Sequence, residues 1–124
     1  MEGLWRKFDD PDFVTYLEQF SFITLCETFA ESVSFSGSLQ DFECHVAPAK
    51  KLSNHGRLSG GVLCLIKKCF GSFFQRITCS YDNIIVFKVC ITLFGVDQDI
   101  LLFCVYIPPA GSPFYQTAEE RNAF

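Results

Sequence analysis

A chain of 124 residues is long enough for one hydrophobic core and too short for two. With 49% hydrophobic residues, 15 of them phenylalanine, and a mean hydropathy of +0.24, it is excluded from the disordered chains and placed among packed globular domains. A formal net charge of −4 argues against a general nucleic-acid binder, which would carry an excess of Lys and Arg to meet phosphates.

The opening stretch MEGLWRKFDD turns charged at once and lacks the apolar segment of a secretory signal. In DDPDFVTYLEQF, Asp10 suits an N-cap and Pro11 the first helical position, while Phe13, Val14, Leu17 and Phe20 recur at helical spacing. That predicts one short amphipathic helix over about 11–19. SFITLCETF is rich in β-formers and predicts the first strand, followed by a Ser/Gly loop at 31–41. FECHVAP at 42–48 alternates weakly, KKLSNHGRLSGG is a turn-rich connection, and VLCLIKK at 62–68 is an apolar strand. ITCSYDN leads into IIVFKVCITLF at 84–94, and the tight segment GVDQD suggests a hairpin into ILLFCVYI at 100–107. PPAGSP then breaks the chain, and FYQTAEERNAF reads as the start of a helix.

Near-continuous apolar strands of this kind occur where both faces of a sheet are covered, so the order of elements reads as part of a layered α/β sandwich. IIVFKVCI and ILLFCVYI are expected to leave apolar faces or edges bare, which predicts self-association through an uncovered sheet. ILLFCVYI is also the longest apolar run and is well short of the ~20 residues a membrane helix needs, so no membrane partner is expected.

Seven cysteines, an odd number without a C-x-x-C pair, point the same way. Cys26, Cys64, Cys90 and Cys104 lie inside apolar runs, where a reduced thiol behaves as a small hydrophobe. Cys64 and Cys69 have the look of half a zinc site without its second half. The expectation is reduced core thiols with no disulfide partner, in an intracellular location, nuclear or cytoplasmic.

The charge is unevenly spread. Residues 1–43 hold nine acids against two bases, whereas 44–81 hold no acid and six bases, and 82–124 return to five acids against two bases. A basic middle between acidic flanks fits either a phosphate-facing surface or ordinary solvated turns.

Five stretches carry a family likeness: GLWRKFDDPDF (3–13), ITLCETF (23–29), GRLSGGVLCLI (56–66), DNIIVFKV (82–89) and LLFCVYIPPAGSPFY (101–115). Taken in this order, they make the chain resemble the amino-terminal half of the endonuclease/exonuclease/phosphatase domain, in the version found in LINE-type retrotransposons. The resemblance implies a partial four-layer α/β sandwich of the DNase I-like kind, mostly antiparallel strands with one short amino-terminal helix. Residues 1–124 would be the amino-terminal part of one such domain, truncated at both ends.

It also implies a chemistry. Glu27 matches the family's L-x-E-T glutamate, a ligand of a divalent metal, usually Mg²⁺, which takes oxygen ligands and keeps several waters. Read on the residues alone, Glu27 is first of all an exposed carboxylate at a strand end. Tyr106, in VYIPP, matches the tyrosine whose hydroxyl helps hold the phosphate, and on the residues alone it is a strand-end tyrosine with a solvated hydroxyl. Gly60 and Gly61 match the S-G-G before a strand, where backbone geometry is at stake. Lys50, Lys51, His55 and Arg57 would lie in loops on a DNA-facing side, or simply in water.

The family's first-strand Asn would fall before Met1, and its Asp-x-Asn motif and terminal Asp-His pair would follow Phe124. Neither His45 nor His55 lies in a segment where it can replace them. One carboxylate and one tyrosine do not make a hydrolytic site, because positioning and charge stabilisation act as a group. The expectation is a fragment of a metal-dependent phosphodiesterase, resembling a DNA-nicking endonuclease and inactive as this chain, with a non-catalytic DNA- or protein-binding remnant as the alternative. A phosphatase of small substrates belongs to the same family. A serine or cysteine hydrolase is disfavoured, since there is no G-x-S-x-G and no cysteine whose neighbouring histidine suggests activation.

Overall fold

The computed structural model describes residues 7–29, 39–51, 58–90, 95 and 98–109. Helix α1 runs Pro11–Glu18, and the Asp10 side chain caps it by accepting the Asp12 amide proton at 2.9 Å. Gln19 follows as the C-cap, so the helix ends one residue before the predicted 19. Strands β1 (Phe22–Cys26), β2 (Phe42–Ala47) and β5 (Val62–Lys67) form an antiparallel sheet in the order β1-β5-β2. A 3₁₀ helix at Lys68–Phe73 leads into β6 (Phe74–Ile77), which joins β7 (Ile84–Val89) and β8 (Ile100–Val105) in a second antiparallel sheet, ordered β6-β7-β8.

Two elements differ from the sequence reading. The connection at 50–59 holds a small ladder, β3 (Lys50–Lys51) with β4 (Leu58–Ser59), and β6 occupies FQRI, which had no predicted state. Consecutive pairing of β7 with β8 agrees with the predicted hairpin, and Lys88 Nζ reaches Asp99 Oδ2 at 3.2 Å beside it. Most of the predicted 31–41 loop, most of the residues joining β7 to β8, and the predicted helix at FYQTAEERNAF lie outside the described residues.

β5 sits at the centre because its run VLCLI is apolar on both faces, and all five of these side chains are essentially inaccessible. Alternation sorts them. Leu63 and Leu65 pack with Val14 and Leu17 of α1, Phe8, Leu39 and Phe42, whereas Val62, Cys64 and Ile66 pack with Ile85, Phe87, Val89 and Cys104 of the second sheet. Helix, sheet and sheet therefore form three layers with two apolar seams. Burying a Val, Leu or Ile contributes about 1.5–3 kcal/mol, so β5 alone anchors much of both seams.

The outer face of the second sheet is different. Ile77, Val86 and Phe103 line up across β6, β7 and β8, and beside them Leu101 and Val105 are 55% and 44% exposed. β8 is also an edge strand. ILLFCVYI thus leaves apolar side chains bare as expected, whereas the described part of IIVFKVCI does not: Ile85, Val86, Phe87 and Val89 are all buried.

His45 points from β2 into the inter-sheet seam, its ring edge-on to Phe87 at 4.9 Å, with Nε2 3.8 Å from Glu43 Oε2. Burial, and then the nearby Arg76 guanidinium, hold its pKa below the ordinary value, against an opposing pull from Glu43. The folded protein therefore takes up a proton at His45 less readily than the unfolded chain does. This contribution to stability is fully present above the unfolded pKa, about 6.5, and is lost as pH falls toward the lower folded value. Lowering pH from about 7.5 to about 5.5 should reduce the melting temperature, and His45→Gln should flatten that slope. An unchanged slope in the variant would assign the loss to other groups.

Candidate functional site

Glu27 and Tyr106 stand 79 residues apart in sequence and meet at one end of the sandwich, where the Tyr106 hydroxyl donates a hydrogen bond to Glu27 Oε1. Each follows directly on a strand, Glu27 on β1 of the first sheet and Tyr106 on β8 of the second. The contact thus closes the two sheets over the inter-sheet core, into which the partly buried Tyr106 also packs.

The local backbone explains how Glu27 reaches this place. β1 keeps register with β5 as far as Cys26–Val62, after which Glu27 and Phe29 both adopt left-handed conformations, each with φ 55. Such values are uncommon outside glycine and cost an L-residue about 1–2 kcal/mol. The bend is held by hydrogen bonds from Thr28 N–H to the Gly61 carbonyl at 3.3 Å and from Phe29 N–H to the Gly60 carbonyl at 3.0 Å. Glu27 is left on the surface while Thr28, next to it, is 3% exposed.

The facing side is built on Asn83, at 2% exposure the most buried polar residue among those described. Its Oδ1 accepts the Gly61 N–H at 2.9 Å, and its carbonyl accepts the Tyr106 N–H at 3.0 Å. One side chain thus ties the start of β7 to the entry of β5, and its main chain positions the tyrosine. Asn83 Nδ2 is buried with no hydrogen-bond partner among the described residues. Gly60 and Gly61 have φ of +75 and +97, and a Cβ on either would fall within 2.5 Å of Asn83 Oδ1 or Thr28 Oγ1 respectively. Two glycines in succession are what this close packing requires.

Sequence reasoning named Glu27, Tyr106, Gly60 and Gly61 and missed Thr28 and Asn83. The signal for the missed pair was the double glycine itself, since a backbone without side chains implies that something approaches it closely. Of the four residues placed on a DNA-facing side, Lys50 is paired with Asp82 at 2.9 Å, next in sequence to Asn83. Lys51 belongs to β3, and His55 and Arg57 lie outside the described residues. Arg76 is also engaged, donating to the Val46 carbonyl at 2.8 Å.

For a hard divalent cation the site offers one surface carboxylate steadied by a phenol hydroxyl. No group of three or more His, Cys, Asp or Glu gathers among the described residues. Magnesium is usually held by one or two carboxylates with waters and substrate phosphates completing its shell, so Glu27 fits as one ligand of such an ion and not as a cage for it. Among the described residues no helix is long and apolar enough to cross a membrane, and the cysteines are free thiols. Comparison with family models, with curated proteins and with solved structures finds no match, so the meaning of the site rests on its own geometry and chemistry.

Proposed function

We propose that the chain is the amino-terminal part of a metal-dependent phosphodiesterase domain of the endonuclease/exonuclease/phosphatase kind, related to retrotransposon DNA-nicking endonucleases, with Glu27 as a magnesium ligand and Tyr106 as a phosphate-positioning residue. The observation that carries this reading is the convergence of Glu27 and Tyr106 from two different sheets onto one hydrogen-bonded pair at the surface. The helix–sheet–sheet layering supports a DNase I-like sandwich, and the apolar row on the outer sheet face supports a fourth layer or a second copy over it. When bound, magnesium supplies charge stabilisation at the scissile phosphate. Glu27 would hold the ion at the end of its strand, and Tyr106, whose one hydroxyl proton steadies the carboxylate in the free protein, would turn it to a phosphate oxygen when substrate is bound. With one carboxylate, one tyrosine and, among the described residues, no group placed to activate water, the described residues do not complete a hydrolytic site.

The binding-only reading draws less from the described residues, because Lys50 and Arg76 already have partners.

Manganese, a paramagnetic stand-in for magnesium, tests the assignment. Titrated into isotopically labelled protein, it should broaden the amide signals of Cys26–Phe29 and Tyr106 first, and Glu27→Gln should abolish that selectivity. Broadening centred elsewhere, or unaltered in the variant, would refute Glu27 as a ligand. The unmodified chain should not nick supercoiled plasmid with magnesium; nicking abolished by Glu27→Gln would show the site to be complete after all.

A further inference from the structure

Beneath the Glu27–Tyr106 contact lies a group of side chains that the proposed function does not use. Cys64 on β5 and Cys104 on β8 come from opposite sheets and are both buried, at 0% and 6% exposure. Thr24 of β1 sits against both: its hydroxyl donates to Cys104 Sγ at 3.6 Å and lies 3.7 Å from Cys64 Sγ. Both thiols belong to the same buried cluster, with the Thr24 hydroxyl between them. β5 and β8 approach within 8 Å, Cα to Cα, so the sheets lie close together here.

We propose that Cys64 and Cys104 form a redox-sensitive thiol pair, a site at which a hydroperoxide converts two reduced core cysteines into a disulfide joining the two sheets. This inference is independent of the phosphodiesterase reading. Cys104 is the attacking sulfur: it is the less buried of the two, and it accepts a hydrogen bond from the Thr24 hydroxyl. The neighbouring Cys64 thiol and the Thr24 hydroxyl favour its thiolate and pull its pKa down, against the opposing effect of burial, while Cys104 and burial push Cys64 up. Cys104 sulfur attacks the O–O bond and takes one oxygen as S–OH, and the other oxygen leaves, with the thiol proton, as alcohol or water. Cys64 sulfur then displaces the hydroxyl, which departs as water with the Cys64 proton. Two thiols and one hydroperoxide yield one disulfide, one alcohol or water, and one water, and the two electrons lost by sulfur reduce the peroxide. Closure requires the two sulfurs, each now against the Thr24 hydroxyl, to come within about 2.0 Å of one another.

Cys26 is the natural competitor, since it is exposed and its thiol also feels Cys104. Fully reduced protein would be treated with hydrogen peroxide, quenched by alkylation and digested with trypsin and chymotrypsin, which together separate Cys90 from Cys104. Mass spectrometry without reduction should find Cys64 joined to Cys104 as the predominant linked peptide, and the preference should vanish when the same oxidation is run in denaturant. Cys64→Ser should lose the link and leave Cys104 as a sulfenic acid trapped by dimedone. Wild-type mapping needs no variant, so a poorly folding Cys64→Ser does not rescue the idea. Predominant Cys26–Cys104 linkage, or peroxide consumption that leaves Cys64 and Cys104 as free thiols in the native protein, would overturn it.

Discussion

Alanine at Gly61 is expected to remove a large part of the domain's stability. Gly61 has φ +97, and an added Cβ would lie 2.4 Å from Thr28 Oγ1 and 3.3 Å from both the nitrogen and Cβ of Ala49. Thr28 is buried and its main chain is bonded to Gly61 itself, so the neighbour has little room to withdraw. The left-handed backbone costs about 1–2 kcal/mol and the overpacking about 1–3 kcal/mol, a sum comparable with the ~5–15 kcal/mol by which most domains are stable. Urea unfolding should show a lower midpoint for Gly61→Ala. Adding Thr28→Ala should recover part of the loss, since it removes the clashing oxygen and leaves the strained backbone, a coupling that a double-mutant cycle reads directly. A Gly61→Ala midpoint equal to that of the parent protein would mean that the 60–61 turn relaxes freely, and Asn83 and Thr28 would then not be held as described.

Phe87→Ala is the second large effect. Phe87 is fully buried at the inter-sheet seam and meets three rings edge-on: Phe22 of the first sheet at 6.2 Å, Phe74 of its own sheet at 5.9 Å, and His45 at 4.9 Å. Truncating a phenylalanine so placed typically costs about 3–5 kcal/mol, because the transfer energy is lost and the surrounding rings cannot collapse fully into the cavity. Phe103, on the outer face of the same sheet and 59% exposed, is the matched control. Phe103→Ala should change stability by no more than about 0.5 kcal/mol and should improve solubility, since it thins the apolar row across β6, β7 and β8. Equal losses at the two positions would contradict the assignment of inner and outer faces.

What could be read in advance follows the range of the forces involved. The start of α1 was legible because capping is local: Asp10, Pro11 and the Asp12 amide lie within three residues. β5 and β7 were legible because their apolar runs exceed what one face needs. β6 was not, because FQRI is short and owes its extended form to pairing with β7, from Phe74–Val89 to Ile77–Val86. The pairing of β1 with β5, across β2 in sequence, was likewise invisible, since nothing in FITLC selects VLCLI over another apolar strand. At the site, Glu27 and Tyr106 stood out by motif, whereas Asn83 looked like an ordinary turn residue. Its importance comes from a hydrogen bond to Gly61, 22 residues earlier, which only the folded chain creates.

The order β1-β5-β2 also bears on synthesis. β1 and β2 both border β5 and not each other, so neither can pair in this sheet until Lys67 has emerged. At ordinary translation rates the stretch from Cys26 to Lys67 takes roughly two to eight seconds. Within that interval the nascent chain carries first β1 and then β2 as well, both with open edges, and it is the surroundings of the ribosome, before the domain exists, that must keep them from pairing elsewhere.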